Sequence, residues 1–338
     1  MSAITEWGAP LVHVTRGRIV VSLHAVAFVV SDRDGHVVAR AGDVDHAIYP
    51  RSAIKPIQAL PLVETGAADA YGLGSEELAL ACASHSGEPM HTERVAAWLA
   101  RLGVDDGVLA CGAHLPYHEA TAHALLRRGL APRPVHNNCS GKHAGMVTTA
   151  LHKGEPLAGY ERATHPVQQR VLGTLEQMTG QDLAHAPHGV DGCSIPTIAV
   201  SIGGLAVAMA HFAGPEDLPE HRQAAVRRIR AAWSGHPELM SGSDHFDAAF
   251  NRQMAGRAVC KGGAEGVMCA TLVEAGLGLA IKVADGNGRA SAPALGAILN
   301  RLDLLTASDN EALARWFHPT LTNRAGIAVG EIRALEPS

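Results

Sequence analysis

Aromatic residues are scarce in this sequence and make up only 4% of its 338 positions. The core must therefore be built mainly from Ala, Val, Leu and Ile, which the hydrophobic content of 47% makes possible. Charge is also weak: the formal net charge is -5, and the densest basic cluster is the short run at 227–230. A duplex-binding protein normally presents an extended basic stripe. We therefore expect no nucleic-acid partner.

Long apolar runs and a cysteine framework are missing as well. The most apolar early stretch, residues 19–30, contains Ser22 and His24 and is too short to span a bilayer. Nothing near the N-terminus has the pattern of a signal peptide. The six cysteines are scattered without framework spacing. We expect a cytoplasmic protein with reduced thiols and no membrane partner.

Turn signals and alternation predict strands at both ends of the chain. The predicted strands are 11–14, 19–23, 26–31, 36–41, 266–273 and 277–284. Helical periodicity predicts helices at 76–83, 92–102, 121–128, 142–152, 166–179, 220–234, 247–254 and 293–302. We predict an α/β protein whose mostly antiparallel sheet comes from both termini, roughly 1–50 and 255–338. A helical lobe, roughly 51–254, is inserted between them.

The first segment that could carry chemistry contains Ser52 and Lys55, three residues apart after the opening strands. On a helix, such residues share one face with Cβ atoms about 5–6 Å apart. A neutral lysine there could accept the hydroxyl proton, provided that burial or a second cation lowers its pKa from the free value near ~10.4. The spacing alone is a weak signal, because both residues are common on solvated helix faces. Pro56 fits a first helical turn and favours a helix that starts at Ser52.

Three further regions concentrate polar residues. Residues 82–88 place Ser84 at the end of a predicted helix, where a polar terminus stopped by Gly87 is the simpler interpretation. Residues 136–143 and 191–196 each hold one cysteine among small polar residues, and two such thiolates could bind zinc. Isolated cysteines are more often buried small hydrophobes. By chemistry alone, His136 and His143 would be the expected nitrogen ligands.

A glycine-rich segment at 260–266 surrounds Lys261, so the backbone could approach a ligand closely there. A glycine-rich turn that leads into an edge strand is the alternative. Neither a Walker pattern nor a G-x-G-x-x-G turn after an early strand is present, and nucleotide binding is not supported.

Five of these motifs, in order, resemble the rhizobial-type (class 3) L-asparaginases, also called the asparaginase II family. They are PRSxxKP from residue 50, SHSGE from 84, NNCSGKH from 137, DGCSxP from 191 and KGGAEG from 261. The resemblance implies a fold similar to serine β-lactamases and glutaminases, a homodimer, and hydrolysis of L-asparagine to L-aspartate and ammonia.

Carried over by motif position, Ser52 resembles the nucleophile and Lys55 its base, while Ser84 and Lys261 resemble a second Ser-Lys pair. The ligands of a zinc ion are implied at Cys139, Lys142 and Cys193. A lysine ligand is chemically unusual, because the amine must lose its proton before it binds. The candidate substrate-binding residues are Arg51, Asp191 and His143.

Three other functions stay open at this point. A glutaminase of the same fold differs by one methylene in its substrate, which is worth only ~1–3 kcal/mol in recognition. A β-lactamase or penicillin-binding enzyme also uses Ser-x-x-Lys, although Lys261-Gly262-Gly263 only partly matches its Lys-Thr-Gly element. A zinc-stabilised binding protein without catalysis is the third, and the presence of serine and lysine at both pairs argues against it.

Overall fold

The computed structural model describes residues 9–335 of the chain. The strands are β1 (Ala9–Arg16), β2 (Ile19–Ser31), β3 (Val37–Ala41), β4 (Ala47–Ile48), β5 (His188–Val190), β6 (Pro196–Ile198), β7 (Val200–Ser201), β8 (Ala258–Gly263), β9 (Val267–Leu272), β10 (Leu277–Val283), β11 (Thr320–Thr322) and β12 (Ala328–Ala334). They supply one large sheet and two small ones within the described residues.

The α-helices are α1 (Lys55–Gln58), α2 (Leu60–Glu64), α3 (Ala67–Ala70), α4 (Ser75–Ala81), α5 (Pro89–Arg101), α6 (Glu119–Arg127), α7 (Ser140–Lys153), α8 (Pro166–Thr179), α9 (Ile202–Ala213), α10 (Glu220–Gly235), α11 (Pro237–Ser241), α12 (Phe246–Gln253), α13 (Ser291–Arg301) and α14 (Ala307–Phe317). Short 3₁₀ helices include Arg51–Ile54, Asp106–Val108, Pro134–His136 and Gly288–Ala290. None of these helices is long and apolar enough to cross a membrane.

The chain divides into two compact units. Within the described residues, the first comprises residues 9–53, 200–214 and 253–335, and the second comprises residues 54–199 and 215–252. The first differs from the predicted sheet lobe because it also takes up residues 200–214, which contain α9.

The first unit is built on an antiparallel sheet of eight strands in the order β11-β12-β1-β2-β10-β9-β8, with β3 also paired to β2. Strands from both ends of the chain meet at the centre, where β2 pairs with β1 and β10. The predicted α/β class and the antiparallel sheet from both termini are therefore confirmed. Helix α9 covers β2, β9 and β10, and it approaches so closely that a Cβ on Gly278 would lie 1.9 Å from the Ala206 carbonyl oxygen.

The second unit is helical and centres on α7. Every residue of α7 from Ser140 to Ala150 is buried, and the helix packs against α2, α3, α4 and α5. Gly141 allows the closest of these contacts, because a Cβ there would lie 2.3 Å from the Leu80 carbonyl oxygen. The start of α7 is thereby held against the last turns of α4.

Most predicted elements are present with small shifts at their ends, and one predicted helix, Pro166–Thr179, matches α8 in full. The strands predicted at 19–23 and 26–31 are one continuous strand, β2. Four elements of at least six residues were not predicted: β8, α9, α14 and β12.

Among the described residues of the sheet unit, Asp309 is the buried carboxylate that accepts the most hydrogen bonds. It accepts from Arg257 at 2.6 Å, from Gln253 at 2.8 Å and from the N–H and hydroxyl of Thr306, the N-cap of α14. We expect Asp309→Ala to lower the free energy of unfolding by about 3 kcal/mol, because it removes the buried acceptor of these hydrogen bonds and leaves the half-buried Arg257 without its carboxylate partner. Glu311→Ala, at an exposed position of the same helix, should change it by less than ~0.5 kcal/mol in urea unfolding.

The Asp309 carboxylate also makes the free energy of unfolding depend on pH. The hydrogen bond from Arg257 lowers the pKa of Asp309, and the Gln253 and Thr306 donors add to this effect. A lowered folded-state pKa means stabilisation that is fully present above the unfolded-state pKa of ~3.9 and is lost as the pH falls below it. The stability gap between the wild type and Asp309→Ala should thus be constant from pH 5 to 7 and narrow below about pH 4. A gap that widens in acid would contradict this assignment.

Candidate active site

Ser52 lies on the 3₁₀ helix Arg51–Ile54, in a turn closed by the Ala53 N–H and the Pro50 carbonyl at 3.1 Å. The preceding residue, Arg51, has a left-handed backbone with φ of 53°, which is uncommon outside glycine. Its guanidinium pairs with Glu265 at 3.3 Å on an exposed surface. A substrate carboxylate would therefore have to compete with Glu265 for Arg51.

Strand β8 lies directly against this turn. A Cβ on Gly263 would lie 2.8 Å from the Pro50 carbonyl oxygen and 3.1 Å from the Ala53 nitrogen, so only glycine lets the two backbones approach. Lys261 is two residues earlier on the same strand and thus faces the same side of the sheet as Gly263. Its side chain is buried, and its Nζ donates to the Gly262 carbonyl at 2.7 Å.

Lys55 opens α1, and Pro56 stands in the first turn of that helix, as the sequence predicted. Ser52 itself precedes α1 in the 3₁₀ helix, so the predicted start of the α-helix at Ser52 is three residues early. The Lys55 side chain is 1% exposed. Its Nζ donates to Ser84 Oγ at 2.8 Å and to the Ala83 carbonyl at 2.6 Å.

Ser84 follows α4 and is held in place by its backbone, since its N–H donates to the Met240 carbonyl at 2.9 Å. The structure thus joins two residues of the candidate set, Lys55 and Ser84, which are 29 positions apart in the sequence. A serine hydroxyl bonded to a buried amine can exchange a proton with it.

The predicted zinc ligands Cys139, Lys142 and Cys193 form one buried cluster. Cys139 immediately precedes α7 and Lys142 is in its first turn, while Cys193 belongs to a tight turn between β5 and β6. Lys142 Nζ lies 2.9 Å from Cys193 Sγ, and the two thiols are hydrogen-bonded to each other. Asp191 Oδ2 is 4.0 Å from Cys193 Sγ, so the structure places this carboxylate beside the cluster.

The two thiols have opposite pKa shifts. A hydrogen bond from Cys193 and the charge of Lys142 hold the pKa of Cys139 well below its usual value against the opposing effect of burial. The hydrogen bond with Cys139, together with burial, raises the pKa of Cys193. Burial lowers the pKa of Lys142, but the charges of Cys139 and Cys193 outweigh it and raise that pKa overall. The result is a buried thiolate next to an ammonium group.

This cluster lies beside the Lys-Ser pair, because the charge of Lys55 is near enough to lower the pKa of Cys139. One buried polar group of the helical unit therefore contains Lys55, Ser84, Cys139, Lys142 and Cys193. The sequence could show these residues only as separate motifs.

The histidines expected by chemistry alone have other partners. His143 is fully buried, and its Nδ1 is 2.6 Å from the hydroxyl of Tyr160, which accepts from the Ala110 N–H at 2.8 Å. The phenol proton is thus available for Nδ1. Burial, followed by the charges of Lys142 and Lys55, keeps the pKa of His143 well below its usual value, so the ring is neutral. His136 Nδ1 bonds to the Arg133 N–H at 2.9 Å.

Two buried polar residues of this region were missed by sequence reasoning as site residues: His85 and Ser140. They hydrogen-bond to each other at 2.8 Å across a separation of 55 residues. The one available signal was their position, because each directly follows a candidate residue, Ser84 and Cys139 respectively.

A buried lysine amine on a serine hydroxyl, in a mixed α/β protein, is the arrangement of serine hydrolases that use lysine as their base. Comparison with known families is specific: the chain belongs to the L-asparaginase II family, whose model matches residues 12–334. Membership implies an amidohydrolase. Among curated proteins no relative matches this chain.

Two solved structures are similar in fold. A β-lactamase from Mycobacterium bovis is 16% identical and matches over 86% of this chain and 95% of its own, with a TM-score of 0.40. A candidate β-lactamase from Bacteroides dorei is 13% identical over 76% of this chain and 84% of its own, with a TM-score of 0.42. Likeness at this level says nothing about the reaction.

Proposed function

We propose that this protein is an L-asparagine amidohydrolase that releases L-aspartate and ammonia. Family membership supports the reaction class. The observation that carries the catalytic proposal is the buried Lys55 amine, 2.8 Å from the Ser84 hydroxyl and three residues along the chain from Ser52. The left-handed residue before Ser52 agrees with this, because strained backbone concentrates at functional sites.

In the first half-reaction Ser52 Oγ attacks the side-chain amide carbon of asparagine and gives up its proton to Lys55. Backbone N–H groups of the turn that carries Ser52 would stabilise the tetrahedral oxyanion, a contribution of typically ~3–4 kcal/mol per donor. The C–N bond then breaks, and the nitrogen leaves as ammonia with the proton that Ser52 lost. A β-aspartyl ester on Ser52 remains.

In the second half-reaction water replaces ammonia. Its oxygen attacks the ester carbon, one of its protons returns to Ser52, and aspartate is released. We assign Ser84 and Lys261 to these proton transfers. Ser84 takes part through its bond to Lys55. Lys261 takes part as the buried lysine on the strand that lies against the Ser52 turn. Arg51, Asp191 and His143 stay candidates for positioning the amino-acid end of the substrate.

We also propose that Cys139, Lys142 and Cys193 hold zinc. Two thiols and an amine gathered in one buried cluster suit this thiophilic ion, and a substrate or water oxygen could complete four ligands. When bound, zinc would supply a positive charge that attracts an oxygen of the substrate. Lys142 and both cysteine thiols must be deprotonated to bind the ion.

The reaction is tested by an ammonia-release assay with L-asparagine and with L-glutamine, alongside hydrolysis of a chromogenic β-lactam. We expect asparagine to be the best substrate by kcat/KM and the β-lactam to be untouched. Faster turnover of glutamine than of asparagine would show that the protein is a glutaminase. Hydrolysis of the β-lactam would show that it is a β-lactamase. Inactivity on all three, with the protein folded, would favour the binding-protein alternative.

The homodimer implied by the family resemblance stays a prediction that sedimentation equilibrium can check. The cytoplasmic location is likewise a prediction, and fractionation of the source cells would test it.

A further inference from the structure

His85 is a fully buried histidine that immediately follows Ser84 and contacts the start of α7 in two ways. Its backbone N–H donates to the Asn138 carbonyl at 3.1 Å, and its ring Nε2 lies 2.8 Å from Ser140 Oγ. Asn138 and Ser140 flank Cys139 on either side. The residue next to the Lys55–Ser84 pair is therefore bonded to both neighbours of a candidate metal ligand.

The hydrogen bonds define which ring nitrogen carries the proton. His85 Nδ1 accepts from the Gly87 N–H at 3.1 Å, so the ring proton is on Nε2. Nε2 donates to Ser140 Oγ, which donates in turn to the Val135 carbonyl at 3.0 Å. Burial, the neighbouring His91 and the charge of Lys55 all lower the pKa of His85, which agrees with a neutral ring.

These contacts connect the Lys55–Ser84 pair to the segment around Cys139 by two routes. Lys55 is bonded to Ser84 and lies near enough to Cys139 for its charge to lower the pKa of that thiol. His85 links the same two places through Ser140 and Asn138. A displacement of Ser84 relative to Cys139 would strain or break the two His85 bonds, which lie in a buried site where unpaired groups are costly.

We propose that His85 is a positioning residue that holds the Lys55–Ser84 pair at a fixed position relative to the segment that carries Cys139 and Lys142. The proposal rests on the proposed function, because it assigns His85 a role in that reaction. Catalytic groups must be held to within about half an ångström, and a displacement of about 1 Å can cost roughly 100-fold in rate. His85 itself touches no reacting atom in the proposed mechanism.

A purely structural role is the competing explanation. The His85 ring stacks on His91 with centroids 4.8 Å apart, so any flat or bulky side chain could fill this space. Such a role predicts a loss of stability alone, with normal kinetics in the molecules that remain folded.

The test compares His85→Leu, which removes the ring donor, with His85→Gln, whose amide can donate from nearly the same position as Nε2. Ser140→Ala removes the acceptor and leaves the ring intact. Trp98→Phe is the matched control, because it breaks another buried hydrogen bond of this unit, from Trp98 to Thr148 at 3.0 Å. Thermal unfolding of each variant measures the common loss of stability.

For His85→Leu we expect kcat on asparagine to fall by about 100-fold while KM stays within about threefold. His85→Gln should regain at least a tenth of wild-type kcat, and Ser140→Ala should fall between them. Trp98→Phe should keep its kcat. If His85→Leu keeps more than a third of wild-type kcat while it is destabilised as much as Trp98→Phe, His85 only fills space and the proposal is overturned.

A second measurement does not depend on asparagine hydrolysis. Modification of Cys139 and Cys193 by a thiol reagent, followed by peptide mass analysis of the metal-free protein, reports how often this turn opens. We expect His85→Leu to speed it about tenfold, with partial recovery in His85→Gln and no change in Trp98→Phe. This pattern in a protein without asparaginase activity would reject the proposed function and retain the linkage. Unchanged modification rates would reject the linkage itself.

Discussion

Ser52→Ala is expected to lower kcat on asparagine by roughly 10³-fold or more, with KM little changed, because it removes the nucleophile and leaves the pocket intact. Lys55→Ala should have a loss of the same order. The double variant should be little worse than either single variant, since groups that act as one unit are strongly non-additive. Steady-state kinetics with circular dichroism as the folding control would measure all three.

Ser84 is the rival nucleophile, because its hydroxyl lies 2.8 Å from the Lys55 amine. The assignment to Ser52 predicts that an aspartyl ester, trapped by acid quenching, is found by mass spectrometry on the peptide that contains Ser52. Ser84→Ala should reduce kcat but still form that ester. An ester on Ser84, or more than a tenth of wild-type activity in Ser52→Ala, would show that the roles are assigned wrongly.

The sheet of the first unit could be predicted where local signals are strong. The turn at Asp32–Gly35 and the alternation around it specify the hairpin of β2 and β3. Helix α9 has no such signal: it is buried almost all round and contains adjacent glycines, so it lacks a polar face and the helical period cannot be recognised. Strand β12 depends on its pairing with β1, more than 300 residues away, which no local pattern reveals.

The candidate site divides in the same way. The motifs around Ser52, Ser84, Cys139, Cys193 and Lys261 could be found from the sequence and from the family resemblance. Their contacts could not, because the order of residues does not determine which side chains meet.

Lys55 bonds to Ser84 because its amine reaches the segment that follows α4, where it also contacts the Ala83 carbonyl. The close approach at Gly141 holds the start of α7 against the last turns of α4. Chemistry alone favoured His143 as a metal ligand, whereas in the structure its Nδ1 is hydrogen-bonded to the Tyr160 hydroxyl. The role of His85 could not be predicted from the sequence, because its hydrogen-bond partner Ser140 is 55 residues away.

Replacing Cys139 or Cys193 by alanine is expected to abolish zinc binding. Purified wild-type protein should hold about one zinc per chain, since the cluster offers two thiols and an amine at one buried place. Each variant keeps at most one thiol, and a tetrahedral site that loses a thiolate loses most of its affinity. Elemental analysis after dialysis against a weak chelator measures the content directly.

The kinetic consequence follows from the location of the cluster. The turn of Cys193 and the start of α7 are joined there, next to Lys55, so loss of the ion should loosen the pocket while Ser52 stays in place. We therefore expect KM for asparagine to rise more than kcat falls in Cys139→Ala and Cys193→Ala, which is the pattern of lost binding.

Cys269→Ala is the control for the zinc experiment, because it removes a thiol that is equally buried but lies on β9 in the sheet unit. Burial raises the pKa of Cys269 to about 12, so it stays protonated and offers no ligand. This variant should keep both its zinc and its KM. If wild-type protein holds no metal even after incubation with zinc, the Cys139, Lys142 and Cys193 cluster is a metal-free thiolate–ammonium pair, and its resemblance to the family's ligand set does not extend to function.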